Sequence, residues 1–304
     1  MEQNATLKKD KKGAINVSTF SQKIHSYLKH PFSLLVWIIT ILAALLTVAS
    51  LVYLVLYILI KGVPYLRPEL FSWTYDSNNV SMLPSIINTF LLTALSLVIS
   101  VPLGIFAAIY MVEYAKKGNR MVKFIRVTAE TLSGIPSIVY GLFGMIFFVG
   151  VLKMQLSLLS GSLTVAIMVL PTIMRTTEEA LLSVPQSYRE GSFGLGAGKL
   201  RTVFRIVLPS AVPGILSGVI LATGRIVGET AALIYTAGTM AKVPNNLFAS
   251  ARTLSVHMYL LSNEGLHTNE AFATAVVLLV FVMLINMLAN FVARRLSAKN
   301  AEND

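Results

Sequence analysis

The sequence contains no cysteine, and only 13% of its 304 residues are charged. The lack of cysteine excludes disulfide bonds, thiolate catalysis and cysteine-ligated metal sites. The charged fraction is about half that of an ordinary soluble domain, too little to coat a chain of this length in water. Because 55% of the residues are hydrophobic and the mean hydropathy is +0.71, we expect a chain embedded in lipid. A soluble enzyme and a disordered protein are excluded.

The sequence contains several long stretches of apolar, uncharged residues. A helix that crosses the bilayer core needs about 20 apolar residues. Six stretches approach or exceed this length: residues 34–60, 85–112, 134–152, 154–174, 206–224 and 271–293. Little more than Lys153 separates the third stretch from the fourth, which predicts a tight hairpin. The first stretch is too long for the apolar region of a signal peptide, so we expect a retained span.

The net charge of +11 follows from where the basic residues lie. Most of them fall in a tail at 1–33, the loop after the second span, the stretch between the fourth and fifth spans, and a tail at 294–304. The positive-inside rule places these regions, and both termini, in the cytoplasm. Topology thus explains the charge, and nucleic-acid binding loses its support. Glu113 and Glu130, which flank the basic loop, are expected to be solvated counter-charges.

The cytoplasmic stretch at 176–209 has the pattern of a short helix–turn–helix. Pro185 should end a preceding helix. Ser187, with Glu190 three residues later, forms a capping-box pattern that predicts the start of the next helix. An amphipathic connecting loop is the alternative interpretation, and periodicity alone does not decide between the two.

Small residues follow in the same stretch. Gly191 and Ser192 allow another surface to approach closely, and Gly196 suits the left-handed turn that ends a helix. A further helix is predicted by apolar residues at helical spacing: Leu200, Val203, Phe204 and Val207. The pattern predicts a rigid projection that meets a cytoplasmic partner.

The glycine-rich run at 194–200 is not a phosphate-binding loop. That motif would require glycine at Phe193 and a hydroxyl residue at Leu200, and the sequence has neither. We therefore expect no ATP hydrolysis by this chain and no cofactor bound to it. The four histidines form no pair at helical spacing, so no metal site is expected.

The fifth span continues through Arg225 and Glu229. If it begins near Ala211, Arg225 lies roughly 21 Å along the helix axis, beyond the bilayer midplane, where an isolated arginine costs at least about 2.5–3.5 kcal/mol. Glu229, at i+4, is expected on the same helix face. Three interpretations stay open: an ion pair that fixes a helix interface, a guanidinium that lines the pathway of an anion, or a gating pair.

Other polar residues have competing explanations. Arg175, near the inner end of the fourth span, either extends to the headgroups or assists anion release. Ser137 and Tyr140 either bond to a substrate or satisfy helix backbone. The outer segment at 242–270 is either a plain linker or a docking surface. Close helix packing is predicted at Gly214, Gly218, Gly224 and Gly228.

The loop at 176–209 resembles the EAA loop of ABC-importer permeases. The matching residues are Glu190, Gly191, Ser192, Gly196, Ile206, Leu208 and Pro209, with Gly191 and Ser192 standing where the family pattern has two alanines. The resemblance implies a six-span, type I (MetI-like) importer fold. It also implies coupling helices that dock on an ATP-hydrolysing subunit.

Three further segments, 134–144, 174–181 and 224–232, resemble the phosphate-specific transporter permeases, in the PstA-type form. The resemblance covers about residues 84–293 and implies a permease in the bacterial inner membrane. The implied partners are a PstC-type second permease, an ATPase dimer that binds ATP and Mg²⁺, and an extracytoplasmic phosphate-binding protein. Arg225, Glu229 and Arg175 are carried over as pathway candidates. Sulfate or molybdate import and an ion-driven secondary transporter remain alternatives.

Overall fold

A computed structural model describes residues 31–116 and 118–301, and these ranges contain helices and no strand. In chain order the helices are α1 (Pro31–Gly62), α2 (Leu83–Ile109), α3 (Arg120–Ser133), α4 (Ser137–Gly144), α5 (Leu158–Ser183), α6 (Gln186–Gly194), α7 (Lys199–Thr202), α8 (Leu208–Gly228), α9 (Ala231–Thr236), α10 (Leu254–Glu264) and α11 (Thr268–Ala301). Short 3-10 turns lie at Val63–Tyr65 and Pro68–Phe71. Three π-helical segments complete the fold: Tyr110–Tyr114 continues α2, Met145–Val151 continues α4, and Val203–Val207 joins α7 to α8.

The chain divides into two compact units, one ending at Tyr57 and the other beginning at Ile58. Most of the basic tail predicted at 1–33 lies outside the described residues. The tail predicted at 294–304 is helical as far as Ala301, because α11 continues through it.

The first unit consists of most of α1, whose large apolar side chains are exposed along its length. Its hydroxyl groups bond within the helix. Thr40 Oγ1 donates to the Val36 carbonyl, and Thr47 Oγ1 donates to the Ala43 carbonyl, each at 2.8 Å. These bonds leave the hydroxyls satisfied without water, as a lipid-facing helix requires.

Within the described residues, five helices are long and apolar enough to span a bilayer: Phe32–Tyr65, Leu83–Tyr114, Leu158–Ser183, Lys199–Gly228 and Thr268–Phe291. A sixth span exists if α3 and α4 are taken together, but they meet at 104°. The predicted span at 134–152 therefore begins at Ser137 and is preceded by a separate helix. Pro136 causes the break, because the residue before a proline is disfavoured in helical conformation.

The predicted hairpin between the third and fourth spans is confirmed. Lys153 and Gln155 have positive φ angles of 56° and 60°. After this turn, the Ser157 side chain accepts a hydrogen bond from the Ser160 amide and caps α5. The fourth span thus begins at Leu158 and extends to Ser183, further along the chain than the apolar stretch at 154–174 suggested.

In the second unit, α2, α5 and α8 pack through small and hydroxyl residues. Ser96 Oγ donates to the Ser162 carbonyl at 3.2 Å. A Cβ at Gly104 would lie 2.7 Å from Ile173 Cγ2. Such close approach replaces the hydrophobic driving force that helices lack inside lipid.

The glycines of α8 divide into two pairs. A Cβ at Gly214 would lie 2.6 Å from Ala180 Cβ, and one at Gly218 would overlap the Thr176 side chain. The predicted packing role of this pair is confirmed. A Cβ at Gly224 or Gly228 would meet nothing within 4 Å outside its own helix in the part of the chain that the structure describes, so the same prediction is wrong for them there.

This difference predicts that Gly218→Ala destabilises the protein and Gly224→Ala does not. The new methyl at 218 meets the Cβ of Thr176, a branched side chain that cannot rotate away, and overpacking of this kind costs about 1–3 kcal/mol. At 224 the methyl meets open space and gains up to about 1 kcal/mol of helix propensity. Thermal unfolding of the two purified variants measures the difference; equal melting temperatures would contradict the packing at Gly218.

Candidate functional site

The helix–turn–helix predicted between the fourth and fifth spans consists of α6, a turn and α7, and we call residues 186–202 the knob. Gly196 has a φ of +79°, the left-handed conformation predicted for it. The predicted cap at Ser187 is wrong, because Pro185 occupies the N-cap position of α6. The Pro185 carbonyl accepts a hydrogen bond from the Tyr188 amide at 3.2 Å, so Ser187 lies inside the first turn.

The predicted coupling residues fall into three groups. Those exposed on the outer surface of the knob are Glu190, Gly191 and Gly196. Those half-buried where α7 continues into α8 are Ile206, Leu208 and Pro209. Ser192 is buried, and its hydroxyl lies 2.8 Å from that of Thr202. This last contact joins the two helices of the knob and supports a rigid unit over a loose connecting loop.

The outer surface of the knob carries exposed apolar side chains. Leu195, at the tip of the turn, is 91% exposed. Its exposed apolar neighbours are Tyr188, Phe193 and Leu200. A cavity of about 310 Å³ beside the turn is lined in part by Arg201 and Arg205. An exposed apolar patch with a basic edge is typical of a protein-docking surface.

Behind the knob, Arg189 and Glu113 form a buried ion pair. Their side chains are 10% and 9% exposed, and Arg189 Nη2 lies 2.7 Å from Glu113 Oε1. The expectation that Glu113 is a solvated counter-charge is therefore wrong. The sequence places the two residues far apart, and helix packing in the second unit brings them together. Glu130 is exposed, as expected.

Glu229 does not share a helix face with Arg225. Helix α8 ends at Gly228, and the Glu229 backbone is extended, with φ −69° and ψ 131°. The carboxylate accepts a hydrogen bond from the Ala232 amide at 3.0 Å and so begins α9. The Ser255 hydroxyl donates to the Glu229 carbonyl at 2.5 Å. The prediction that Glu229 lies on the Arg225 face at i+4 is wrong, because the helix ends one residue before Glu229. Glu229 is 8% exposed and stabilises this break.

Arg225 is half-buried in the last turn of α8. Among the described residues it has no hydrogen bond and no ion pair, so the fixed-ion-pair interpretation fails there. It lies close enough to Tyr140 to act on the phenol electrostatically. The Tyr140 hydroxyl itself donates to the Leu132 carbonyl at 2.8 Å. The guanidinium donors of Arg225 are thus available within this part of the chain.

Arg175 lies in α5, away from the end of the helix. Its side chain is 64% exposed, and Nε lies 3.3 Å from Glu179 Oε1. It lines a cleft of about 550 Å³ between α3 and α5, whose other charged residues are Arg126, Glu130, Glu178 and Glu179. Arg126 and Glu178 pair at 2.5 Å. Arg225 does not line this cleft, so the structure does not bring the candidate arginines into one cavity.

The segment at 242–270 is folded against the start of α2, and the plain-linker interpretation is wrong. The Asn88 amide donates to the carbonyls of Lys242 and Arg252, at 2.9 and 3.1 Å. Thr89 Oγ1 accepts from the Leu254 amide at 2.8 Å. These bonds fix the beginning of α10 against the second span.

His257, in α10, is fully buried at this end of the molecule. Its Nδ1 lies 3.3 Å from Arg252 Nη1, and its ring meets that of Tyr75 edge-on. Burial, followed by the positive charge of Arg252, lowers the pKa of His257 to about 3. The histidine is therefore neutral near pH 7 and accepts a hydrogen bond from Arg252.

Comparison with known proteins gives a family match over most of the folded chain. Residues 100–301 match the family model of the binding-protein-dependent transport system inner membrane component. The probable ABC transporter permease protein YqgI of Bacillus subtilis is 34% identical over 86% of this chain and 95% of its own length. The phosphate transport system permease protein PstA 1 of Mycobacterium tuberculosis is 35% identical over 65% of this chain and 66% of its own length.

Solved structures show the same fold. One chain in the crystal structure of a bacterial alginate ABC transporter, in complex with an alginate pentasaccharide-bound periplasmic protein, superposes with a TM-score of 0.66. That match covers 89% of this chain and 98% of the other, at 17% identity. The predicted all-α, MetI-like importer permease fold is confirmed.

The lowered pKa of His257 predicts a stability that depends on pH. The unfolded chain binds a proton below about pH 6.5 and the folded chain does not, so stability is complete above that pH and falls toward pH 3. Between pH 6.5 and 5 the loss should reach about 2 kcal/mol. Thermal unfolding across this range should show a shallower decline in His257→Asn, whose side-chain oxygen still accepts from Arg252.

His267→Asn is the control for this measurement. His267 lies in the same outer region, 3.8 Å from Glu270, and is not fully buried. This variant should keep the wild-type pH dependence. An unchanged slope in His257→Asn would show that His257 is not the group responsible.

Proposed function

This chain belongs to the family of binding-protein-dependent transport system inner membrane components, and on that premise we propose that it is a permease subunit of an ATP-driven importer of inorganic phosphate. It is a multi-pass membrane protein. In the proposed complex it forms half of the translocation pore, and a PstC-type permease forms the other half.

The substrate assignment rests on the environment of Arg225. An arginine within a membrane span needs a partner, and the described chain gives its guanidinium none. A tetrahedral oxyanion is a suitable partner, because the guanidinium fork donates two parallel hydrogen bonds to it. The relatives named as phosphate transport permeases support phosphate among such anions.

Glu229 takes a supporting role in this proposal. Its carboxylate is committed to the Ala232 amide, and its carbonyl to Ser255. It therefore holds the helix break just beyond Arg225, which fixes where the guanidinium stands in the pathway. Arg175, exposed in the cleft between α3 and α5, is proposed to assist release of the anion.

The knob is proposed to dock on an ATPase dimer that carries ATP and Mg²⁺; this chain binds no cofactor itself. The exposed apolar tip around Leu195 supports this contact. In the proposed cycle, ATP binding closes the ATPase dimer, the knob follows it, and the pore helices reorient about Arg225.

The proposed orientation is that of a bacterial inner-membrane protein with both termini in the cytoplasm. The knob lies on the side that carries most of the basic loops, as the positive-inside rule requires. The folded segment at 242–270 then faces outward, where an extracytoplasmic phosphate-binding protein would deliver its ligand.

Arg225→Gln is expected to abolish phosphate uptake while the complex still assembles, because glutamine keeps a polar side chain but loses the charge and the fork. Uptake of radiolabelled phosphate into proteoliposomes should fall at least 100-fold. Arg120→Gln, at an exposed arginine with no partner in the described chain, should transport normally. Loss of assembly in Arg225→Gln would point to a structural role, and sulfate uptake by the wild-type complex would reassign the substrate.

Gly196→Val is expected to uncouple ATP hydrolysis from transport. A branched residue at a φ of +79° is strained by roughly 1–2 kcal/mol, which should distort the tip of the knob. The number of ATP molecules hydrolysed per phosphate transported should rise several-fold. Gly118→Val carries the same strain, at a φ of +80° outside the knob, and should keep the wild-type ratio; normal coupling in Gly196→Val would count against the docking role.

A further inference from the structure

The guanidinium of Arg189 donates hydrogen bonds to three different acceptors. Nε and Nη2 both donate to Glu113 Oε1, at 3.0 and 2.7 Å. Nη1 donates to the Val184 carbonyl and Nη2 to the Leu181 carbonyl, each at 2.9 Å. Because the side chain is also buried, it has one position relative to these partners.

These partners belong to different helices. Glu113 lies in the π-helical end of α2, Tyr110–Tyr114, and the two carbonyls belong to the last turn of α5 and the residue after it. Carbonyls at a helix C-terminus have no partner within the helix and favour a cation. A single side chain of α6 therefore ties the knob to the ends of the second and fourth spans.

The knob meets the same end of α2 a second time. Lys199 Nζ, in α7, lies 5.2 Å from the centre of the Tyr114 ring. Helix α7 also continues into α8 through the π-helical segment Val203–Val207. The knob is thus connected to the second, fourth and fifth spans, and π-helical segments mark two of these connections. Such segments occur often at functional sites.

The segments that flank the knob make apolar contacts with the second span. Val184, Val203 and Val207 pack in one cluster with Ala108 and Met111. Apolar contacts are non-directional and tolerate sliding, whereas a fork with fixed hydrogen-bond geometry holds one register. A buried ion pair often gives no more folding stability than well-packed apolar residues of similar volume would give, so stability alone does not explain this one.

We propose that Arg189 is a positioning residue for coupling: it transmits displacement of the knob to the second and fourth spans through Glu113 and the α5 carbonyls. This inference rests on the proposed function, because it takes the knob to be moved by an ATPase. The contact surface of the knob engages the ATPase, and Arg189, behind that surface, carries the movement onward.

The test is the ratio of ATP hydrolysed to phosphate transported, measured with the full complex in proteoliposomes with radiolabelled phosphate and loaded binding protein. Arg189→Met should keep ATPase activity within about twofold of wild type while uptake falls at least tenfold, so the ratio rises at least fivefold. Glu113→Gln should shift the ratio in the same direction but less, since the α5 carbonyls keep their donor. Arg120→Met, which removes an exposed arginine on the same side, should leave the ratio unchanged.

A structural role would give a different result. ATPase activity and uptake would then fall together, in proportion to the amount of assembled complex, and the ratio would stay constant in Arg189→Met; that outcome overturns the proposal. If Arg189→Met fails to assemble, Arg189→Lys and Glu113→Gln carry the test, and an unchanged ratio in both overturns it equally.

The substrate assignment is tested separately, by transport measurements on the wild-type complex. A wild-type complex that moves sulfate or molybdate in place of phosphate contradicts the proposed substrate, and the ratio is then measured with that anion. The role of Arg189 is judged only by the ratio of the variants relative to wild type, so the two failures are distinguishable.

Discussion

Inside a bilayer, each polar group must find its partner within the protein, and this constraint shapes the whole chain. The hydroxyls of α1 bond to carbonyls of the preceding turn. In the second unit, the Ser96 hydroxyl bonds between α2 and α5. Charged side chains pair with one another, as Arg126 does with Glu178 and Arg189 with Glu113. Arg225 departs from this pattern, which is why it dominates the account of function.

The helix break beyond Arg225 follows from the same constraint. Ending α8 at Gly228 leaves carbonyl and amide groups without helical partners. Glu229 takes part in two bonds at this break: its carboxylate accepts from the Ala232 amide, and its carbonyl accepts from the Ser255 hydroxyl. A carboxylate so engaged supports the helix break that follows Arg225, and the guanidinium keeps its donors for another partner.

The parts of the fold that depend on local pattern could be predicted from the sequence. The length of the apolar stretches located the spans. The position of Lys153 between two such stretches located the hairpin, and Gly196 located the left-handed turn. The spacing of seven matching residues in the coupling loop identified the family before any contact was known. These features depend on a few neighbouring residues, so one chain suffices to infer them.

Features that depend on distant residues could not be predicted. The partner of Arg189 lies in another span, and nothing near Glu113 in the sequence marks it as buried. The capping pattern at Ser187 failed because Pro185 already fixed where α6 begins. Glu229 kept the i+4 spacing from Arg225, but the helix ended before it. At Glu113 and Glu229 a deciding contact is tertiary, with Arg189 and with Ser255, and periodicity along one segment carries no information about it; at Ser187 the deciding residue is local.

Polar contacts hold α2 at both of its ends, and this arrangement suits a protein whose two faces must act together. At its start, Asn88 bonds to the carbonyls of Lys242 and Arg252. At its end, Glu113 is bound by Arg189 of the knob. The helix and its π-helical continuation run for 32 residues, roughly 48 Å at 1.5 Å per residue. In the proposed cycle, a displacement of the knob would therefore reach the outer segment through one helix that is fixed at each end by directional bonds, whereas apolar packing alone would let the helix slip.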